Sequence, residues 1–466
     1  MDDDIVVNVR GTHFETRTGR QVLLRGVAIG GWMNMENFIT GYPSTETLQR
    51  RALRRALGEE GYQRFFDVFL DVFYADDDAA LLASLGFNCV RLAVNYHHFE
   101  DDMAPFEMKE EGFRLLDRAI ERSARHAVYS IIDLHSLPGG QNQHWHSDNA
   151  THWASFWDHK HFQDRVVHLW EVMARRYRDN PWVAGYNLVN EPGDARGRAI
   201  WPFYQRLYEA VRAIDGDHVL FLDGNRYATD FSVFQEVWPN TVYACHDYAL
   251  AGFPDSGDYP GVSRGHFVDR AAVEQQFLRR TEFMRTTGTP IWVGEFGPVY
   301  TGDVARDEMR YHLLADQLEI YAEHQASWSL WTYKDIGLQG LVHAHPESPY
   351  MARVRPVLEA KLRLGADAWG STDVGVRHIL GPIEETFAKE FPEFQPFPFG
   401  QRAWIALIVR HILLAEPLVG RFGRCFEGVE GEEIDALAGS FRLSACARRE
   451  ALLDQLRRAC RPVSEE

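Results

Sequence analysis

Two glutamates occupy positions that a buried strand would normally give to an apolar residue. Glu191 closes the run "VAGYNLVNEP" (183–192) and Glu295 lies near the end of "PIWVGEFG" (290–297). A carboxylate at the end of a core strand needs a partner or a task. Brought face to face, two of them can cleave an acetal. One, protonated, assists departure of the leaving oxygen, while the other, ionised, attacks the anomeric carbon and forms a glycosyl ester. Carboxyls about 5–5.5 Å apart predict retention of configuration, and roughly 6.5–9.5 Å predicts inversion. Either glutamate alone also reads as a salt-bridged strand end, so the case rests on what accompanies them.

The elements that must position them recur along the chain. Strand-like runs fall at 22–32, 87–94, 129–136, 183–192, 218–225, 241–248, 290–297 and 326–334. Amphipathic stretches at 113–127, 164–179 and 201–214 carry apolar residues at helical spacing between runs. This alternation, without an internal repeat, predicts the α/β class and a (β/α)8 TIM barrel. In such a barrel the strand C-termini share one face, and that face holds the site. Arg91, His135, Asn190, His246 and Trp331 are polar or amphipathic strand ends that would converge there with the glutamates.

The barrel is expected within residues 1–360, with an inserted Phe- and Tyr-rich excursion at about 33–85 that is too long for one crossover helix. Residues 361–466 lose the strand pattern and read as a helical C-terminal extension, docked on the barrel or on a second copy in a homo-oligomer. No chemistry is visible in that extension.

Asn190-Glu191-Pro192 and the "GEFG" around Glu295 together resemble family 5 glycoside hydrolases, retaining enzymes of clan A on the (β/α)8 barrel. The similarity runs over roughly residues 20–335. It extends to "RGVAIGGW", to Arg91 in "FNCVRL", His135 in "IIDLH", His246 and Tyr248 in "HDY", and Trp331. The resemblance implies that Glu191 is the acid/base and Glu295 the nucleophile. By the same match Asn190 bonds the sugar 2-hydroxyl, Arg91 and Tyr248 hold the Glu295 carboxylate, His135 and His246 bind hydroxyls or orient Glu191, and Trp331 offers an apolar face. The loop "PGGQN" (138–142) is similar to the "PGSQN" loop of exo-β-1,3-glucanases, which implies a pocket and brings Asn142 and Trp145 among the substrate-binding residues.

The expected activity is that of a retaining exo-acting β-glycosidase removing a terminal glucosyl or mannosyl unit from short glycosides. A transglycosidase using the same glutamates, an endo-acting β-glycanase and a non-catalytic carbohydrate-binding protein are the alternatives. Composition narrows the partners further. A formal net charge of −18 argues against nucleic acid. The apolar stretch 403–420 is interrupted by Arg410, His411 and Glu416 and reads as a buried helix, not a membrane span. Met1 is followed by three aspartates, so no leader is evident and a cytoplasmic setting is expected. The five cysteines lack metal spacing, and the histidines of the 135–157 loop form no H-E-x-x-H motif. Neither metal nor cofactor is expected.

Overall fold

The computed structural model describes residues 5–461, so the acidic start on which the leader argument rests, residues 1–4, lies outside them. Eight strands close into a barrel: β1 (Arg25–Met33), β2 (Cys89–Asn95), β3 (Tyr129–Ser136), β4 (Val183–Asn187), β5 (Val219–Asp223), β6 (Thr241–His246), β7 (Ile291–Glu295) and β8 (Ser327–Leu330). Neighbours pair in parallel, and β8 returns to β1 through Trp328 opposite Arg25. Strands buried on both faces need continuous apolar runs, and every residue of β2 is buried. The eight runs of the sequence are these strands, with shifted ends. The run at 22–32 divides, because Gln21–Val22 pairs with His13–Thr16 in a small antiparallel sheet that also contains Val7–Arg10. That sheet plugs the barrel bottom: Val7, Phe14 and Leu24 share a separate apolar cluster with Phe221 and Trp292. The site therefore opens only from the other end.

The helices Glu110–Arg125, Lys160–Tyr177 and Ile200–Arg212 cover the outside, as the amphipathic stretches require. The 33–85 segment is the expected excursion, with secondary structure of its own. It holds the helix Glu46–Phe73, bent where Gly58 takes φ 70°, followed by the helix Asp76–Ser84. The aromatic stripe of the long helix packs against the C-terminal extension, with Phe65 on Phe426 at 6.0 Å and Phe69 on Phe441 at 5.1 Å between ring centroids. The buried Lys334 helps to tie these parts together. Lys334 is 2.7 Å from Asp78 and donates to the carbonyls of Phe73 and Phe441, both at 2.8 Å. A buried ammonium is tolerated only when so fully partnered.

The extension is also more than helical. Its strand Cys446–Arg448 pairs antiparallel with Val342–Ala344, and its last helix, Glu450–Ala459, packs on the barrel helix Val304–Glu323. Between them, Gln401–Ala406 runs into a π-helical stretch, Leu407–Leu413, whose Leu407, Val409, Arg410 and His411 are buried. Among the described residues all five cysteines are unpaired.

Candidate active site

The carboxyl rim of the barrel carries the site. Strand β7 ends on Glu295 itself, but β4 stops at Asn187, four residues short of the glutamate that the sequence placed at a strand end. Leu188 to Asn190 leave the sheet, and Glu191 takes a left-handed backbone with φ 44°. A non-glycine residue keeps that conformation only when its surroundings hold it. Here Asp223, at the end of β5, accepts the Glu191 N–H at 2.9 Å, and Asn142 donates to its carbonyl at 3.0 Å. This turn swings the carboxyl toward β6 and β7.

The two carboxyls meet across His246. Its Nδ1 lies 2.6 Å from Glu191 Oε1 and 3.5 Å from Glu295 Oε2, and one ligand atom from each of the three residues lies within 4.8 Å of the others. His146 Nε2 reaches the other Glu191 oxygen at 3.1 Å. Glu295 is gripped on both oxygens, by Arg91 Nη1 at 2.7 Å and by the Tyr248 hydroxyl at 2.9 Å. Glu191, His246 and Glu295 are also the trio whose atoms lie closely enough to hold a metal ion. The fully buried Arg91 guanidinium already supplies positive charge to Glu295 there, so a divalent cation would have to sit beside a cation.

Electrostatics divides the labour. Burial pushes the Glu191 carboxyl up, but hydrogen bonds and charge from His146 and His246 outweigh it and hold the carboxyl well below the usual range. Burial lowers His246, and the charges of Glu295, Asp223 and Glu191 raise it on balance. The opposite directions of the two shifts share one cause, the 2.6 Å contact between the imidazole and the Glu191 carboxyl. His135 behaves similarly: burial lowers it, while Asp133 at 2.7 Å and Glu36 at 3.4 Å raise it to about 10. Burial raises both Glu36 and Asp223, the latter to about 6.

These groups border a cavity of about 530 Å³. Of the residues singled out in the sequence, Glu191, Glu295, His135, His246, Tyr248, Trp331 and Trp145 are on its wall. The structure places Arg91, Asn190 and Asn142 beneath the wall, each with its side chain occupied by protein partners. Arg91 bonds Asn187 and Asn190 besides Glu295, and Asn190 reaches His135 Nε2 at 3.2 Å. Asn142, expected to touch substrate, instead spends its amide on the Glu191 carbonyl and on His146, because the loop folds back under Glu191. Trp157 bonds the Gln141 carbonyl and is buried, while Trp153 is 58% exposed; neither lines the cavity.

Sequence reading missed two groups. Glu36 is the one residue of the 33–85 segment on the cavity wall, and His146 touches Glu191. The acidic Glu36 inside an apolar, aromatic segment was the available signal. The larger omission is the C-terminal extension, which seemed to carry no chemistry: Trp369, Phe399, Leu407 and His411 all face the cavity. Trp369 meets Tyr248 edge-on at 5.1 Å, and His411 meets Trp145 edge-on at 4.1 Å.

A parallel eight-stranded barrel with two glutamates facing each other at its carboxyl rim defines a glycoside hydrolase. The family model for Cellulase (glycosyl hydrolase family 5) matches residues 62–337. A beta-xylosidase from Phanerodontia chrysosporium is 47% identical over 461 residues, 96% of each chain. A glucan 1,3-beta-glucosidase from Lachancea kluyveri is 32% identical over 187 residues, 36% of this chain and 42% of that one. Among solved structures, Thermotoga maritima Cel5A in complex with cellobiose superposes with a TM-score of 0.51 at 18% identity, covering 69% of this chain and 92% of the other. The chain belongs to glycosyl hydrolase family 5.

Proposed function

We propose that this chain is a retaining, exo-acting β-glycosidase whose first substrate class is the β-xyloside. The observation that carries the mechanism is the pairing of Glu191 and Glu295 oxygens within 4.8 Å, a spacing on the short side of the about 5–5.5 Å typical of retaining pairs and well under the roughly 6.5–9.5 Å of inverting ones, which suits direct attack. Glu295, aimed by Arg91 and Tyr248, attacks the anomeric carbon. Glu191 gives a proton to the leaving oxygen, with His246, 2.6 Å away, placed to exchange that proton with it. In the second half Glu191 takes a proton from water, which opens the glycosyl ester with a second inversion at carbon.

The sequence pointed to a glucosyl or mannosyl unit. The beta-xylosidase relative, matched over nearly the whole of both chains, moves the reading to a xylosyl unit. Exo action is supported by the polar floor: Glu36, His135 and Trp331 are buried at the inner end, where a terminal sugar finds hydrogen bonds but a continuing polymer finds wall. The test is a panel of p-nitrophenyl β-xyloside, β-glucoside and β-mannoside, with the first-formed anomer followed by proton NMR. Preference for the xyloside with the β-anomer released first is the expected result. An α-anomer first would refute retention, and a higher kcat/KM on glucoside or mannoside would refute the sugar.

A further inference from the structure

The floor and the mouth of the cavity differ in chemistry. At the mouth stand Leu250, Phe253, Phe399, Ala403, Ala406 and Leu407, with Phe399 56% exposed to solvent. Four of the six come from the C-terminal extension. Most polar side chains among them are already bonded within the protein, the exception being the His144 imidazole, which stands 5.4 Å from the Tyr227 ring. Gln276 donates to Asp247 at 2.8 Å, Arg264 pairs with Asp255 at 2.7 Å, and the Thr229 hydroxyl donates to the Arg226 carbonyl at 2.6 Å. Arg280 donates to the His246 carbonyl, and Arg410 to the carbonyls of Gly365, Asp367 and Ser371. Beside the mouth, Trp145 Nε1 and His411 Nδ1 are buried without partners. The second carries its hydrogen because Nε2 accepts the Ala368 N–H at 3.1 Å. Two adjacent donors can serve one oxygen. A second sugar ring presents several hydroxyls, and each one buried without a partner is costly.

We infer that the leaving group accepted by this enzyme is an apolar alcohol, alkyl or aryl, and not another sugar. The inference rests on the exo reading above: when the terminal sugar fills the polar floor, whatever is attached at its anomeric carbon must point out along the mouth. Tyr227 marks that route, since it stands 5.9 Å from His146 beside the acid and 5.4 Å from Phe399 at the opening, ring centre to ring centre. The C-terminal extension thereby sets leaving-group specificity, while the barrel sets the sugar.

The test uses the full-length enzyme and a series of methyl, butyl and hexyl β-glycosides of whichever sugar the panel favours, beside the corresponding disaccharide. Alkoxide leaving groups of similar basicity isolate burial from chemistry. The expected result is a rise in kcat/KM of about fourfold per methylene while the chain remains within the mouth, with the disaccharide below the hexyl glycoside. A flat series, or a disaccharide that outruns the hexyl glycoside, overturns the inference. Phe399→Ser and Ala403→Asp, both at exposed positions, should each flatten the slope; an unchanged slope in both overturns the assignment of the extension. Because the slope is read within one sugar, a wrong choice of xylose would leave this outcome intact and distinguishable.

Discussion

The inner and outer halves of one cavity follow opposite rules. The inner half is built by barrel strands and is crowded with titratable groups at hydrogen-bond distance: Arg91 to Glu295, His246 to Glu191, Asp133 to His135. The outer half is built largely by the C-terminal extension and is apolar, its charged members bonded away from the cavity. A rigid barrel rim can hold charges against one another because each strand end is fixed by its neighbours. A docked extension need only exclude water and offer area. The difference teaches that chemistry and choice of leaving group fall to separate parts of this chain, and substitutions in the two halves should differ in kind.

The largest effect is expected at the centre of the inner half. Glu295→Ala removes the nucleophile, and kcat should fall by about 10⁴-fold or more on every substrate. A 2-deoxy-2-fluoro glycoside should label Glu295 in the unaltered enzyme, read by peptide mapping; a label on another carboxylate would reassign the attacking group. Glu191→Ala should cost about 10²–10⁴-fold with alkyl leaving groups, which need the proton, and much less with activated aryl ones. Azide should restore turnover of the aryl glycoside as the β-glycosyl azide. Equal losses across leaving groups would place the acid elsewhere.

The inner half was far more legible in the sequence than the outer. The strand runs are visible because burial on both faces forces unbroken apolar stretches, and the glutamates stand out against them. "HDY" and "IIDLH" gave His246, Tyr248 and His135 through their place at or just past the end of a strand. What escaped was whatever depends on contacts distant in the chain. The turn that lifts Glu191 off β4 is held by Asp223 and Asn142, neither of which marks Val183–Pro192 locally. The aromatic stripe at Phe65, Phe66 and Phe69 announced a partner without saying that Phe426 and Phe441 were it. His411 lies 266 residues after Trp145 yet shares an edge-on contact with it, and helical periodicity reports only that one face is apolar, not what that face covers.

A smaller effect is expected one layer below the reacting atoms. Asp223 is a positioning residue: it accepts the Glu191 N–H and stands 3.5 Å from His246 Nε2, where its charge helps to raise the imidazole. Asp223→Asn keeps an acceptor for the turn and removes the charge. The folded pKa of His246 then drops, so the alkaline limb of kcat/KM should move to lower pH, with a loss of about tenfold above neutrality. Burial raises Asp223 itself to about 6, so the unaltered enzyme loses the same charge by protonation as pH falls through that value. The two profiles should therefore converge below about pH 6. Parallel profiles at all pH values would mean that Asp223 acts only through the backbone turn.

The smallest effect is expected at the mouth, and its smallness is what makes it informative. Arg264 borders the cavity, but its guanidinium is paired with Asp255 at 2.7 Å, with both side chains more than two-fifths exposed, and it lies over the Phe253 ring at 4.4 Å. An exposed pair of this kind contributes little, so Arg264→Ala should change kcat/KM on the hexyl glycoside by less than about threefold. Arg264 is also the most accessible cation that a polar or acidic leaving group could find there. If the mouth received a second sugar or a carboxylate-bearing group, that arginine would be its natural donor, and its removal would cost about tenfold or more on the disaccharide. Measuring both substrates with the same variant separates the cases: two small changes fit an outer half that recognises area, whereas a selective loss on the disaccharide would make the outer half a second polar site and erase the contrast between the halves.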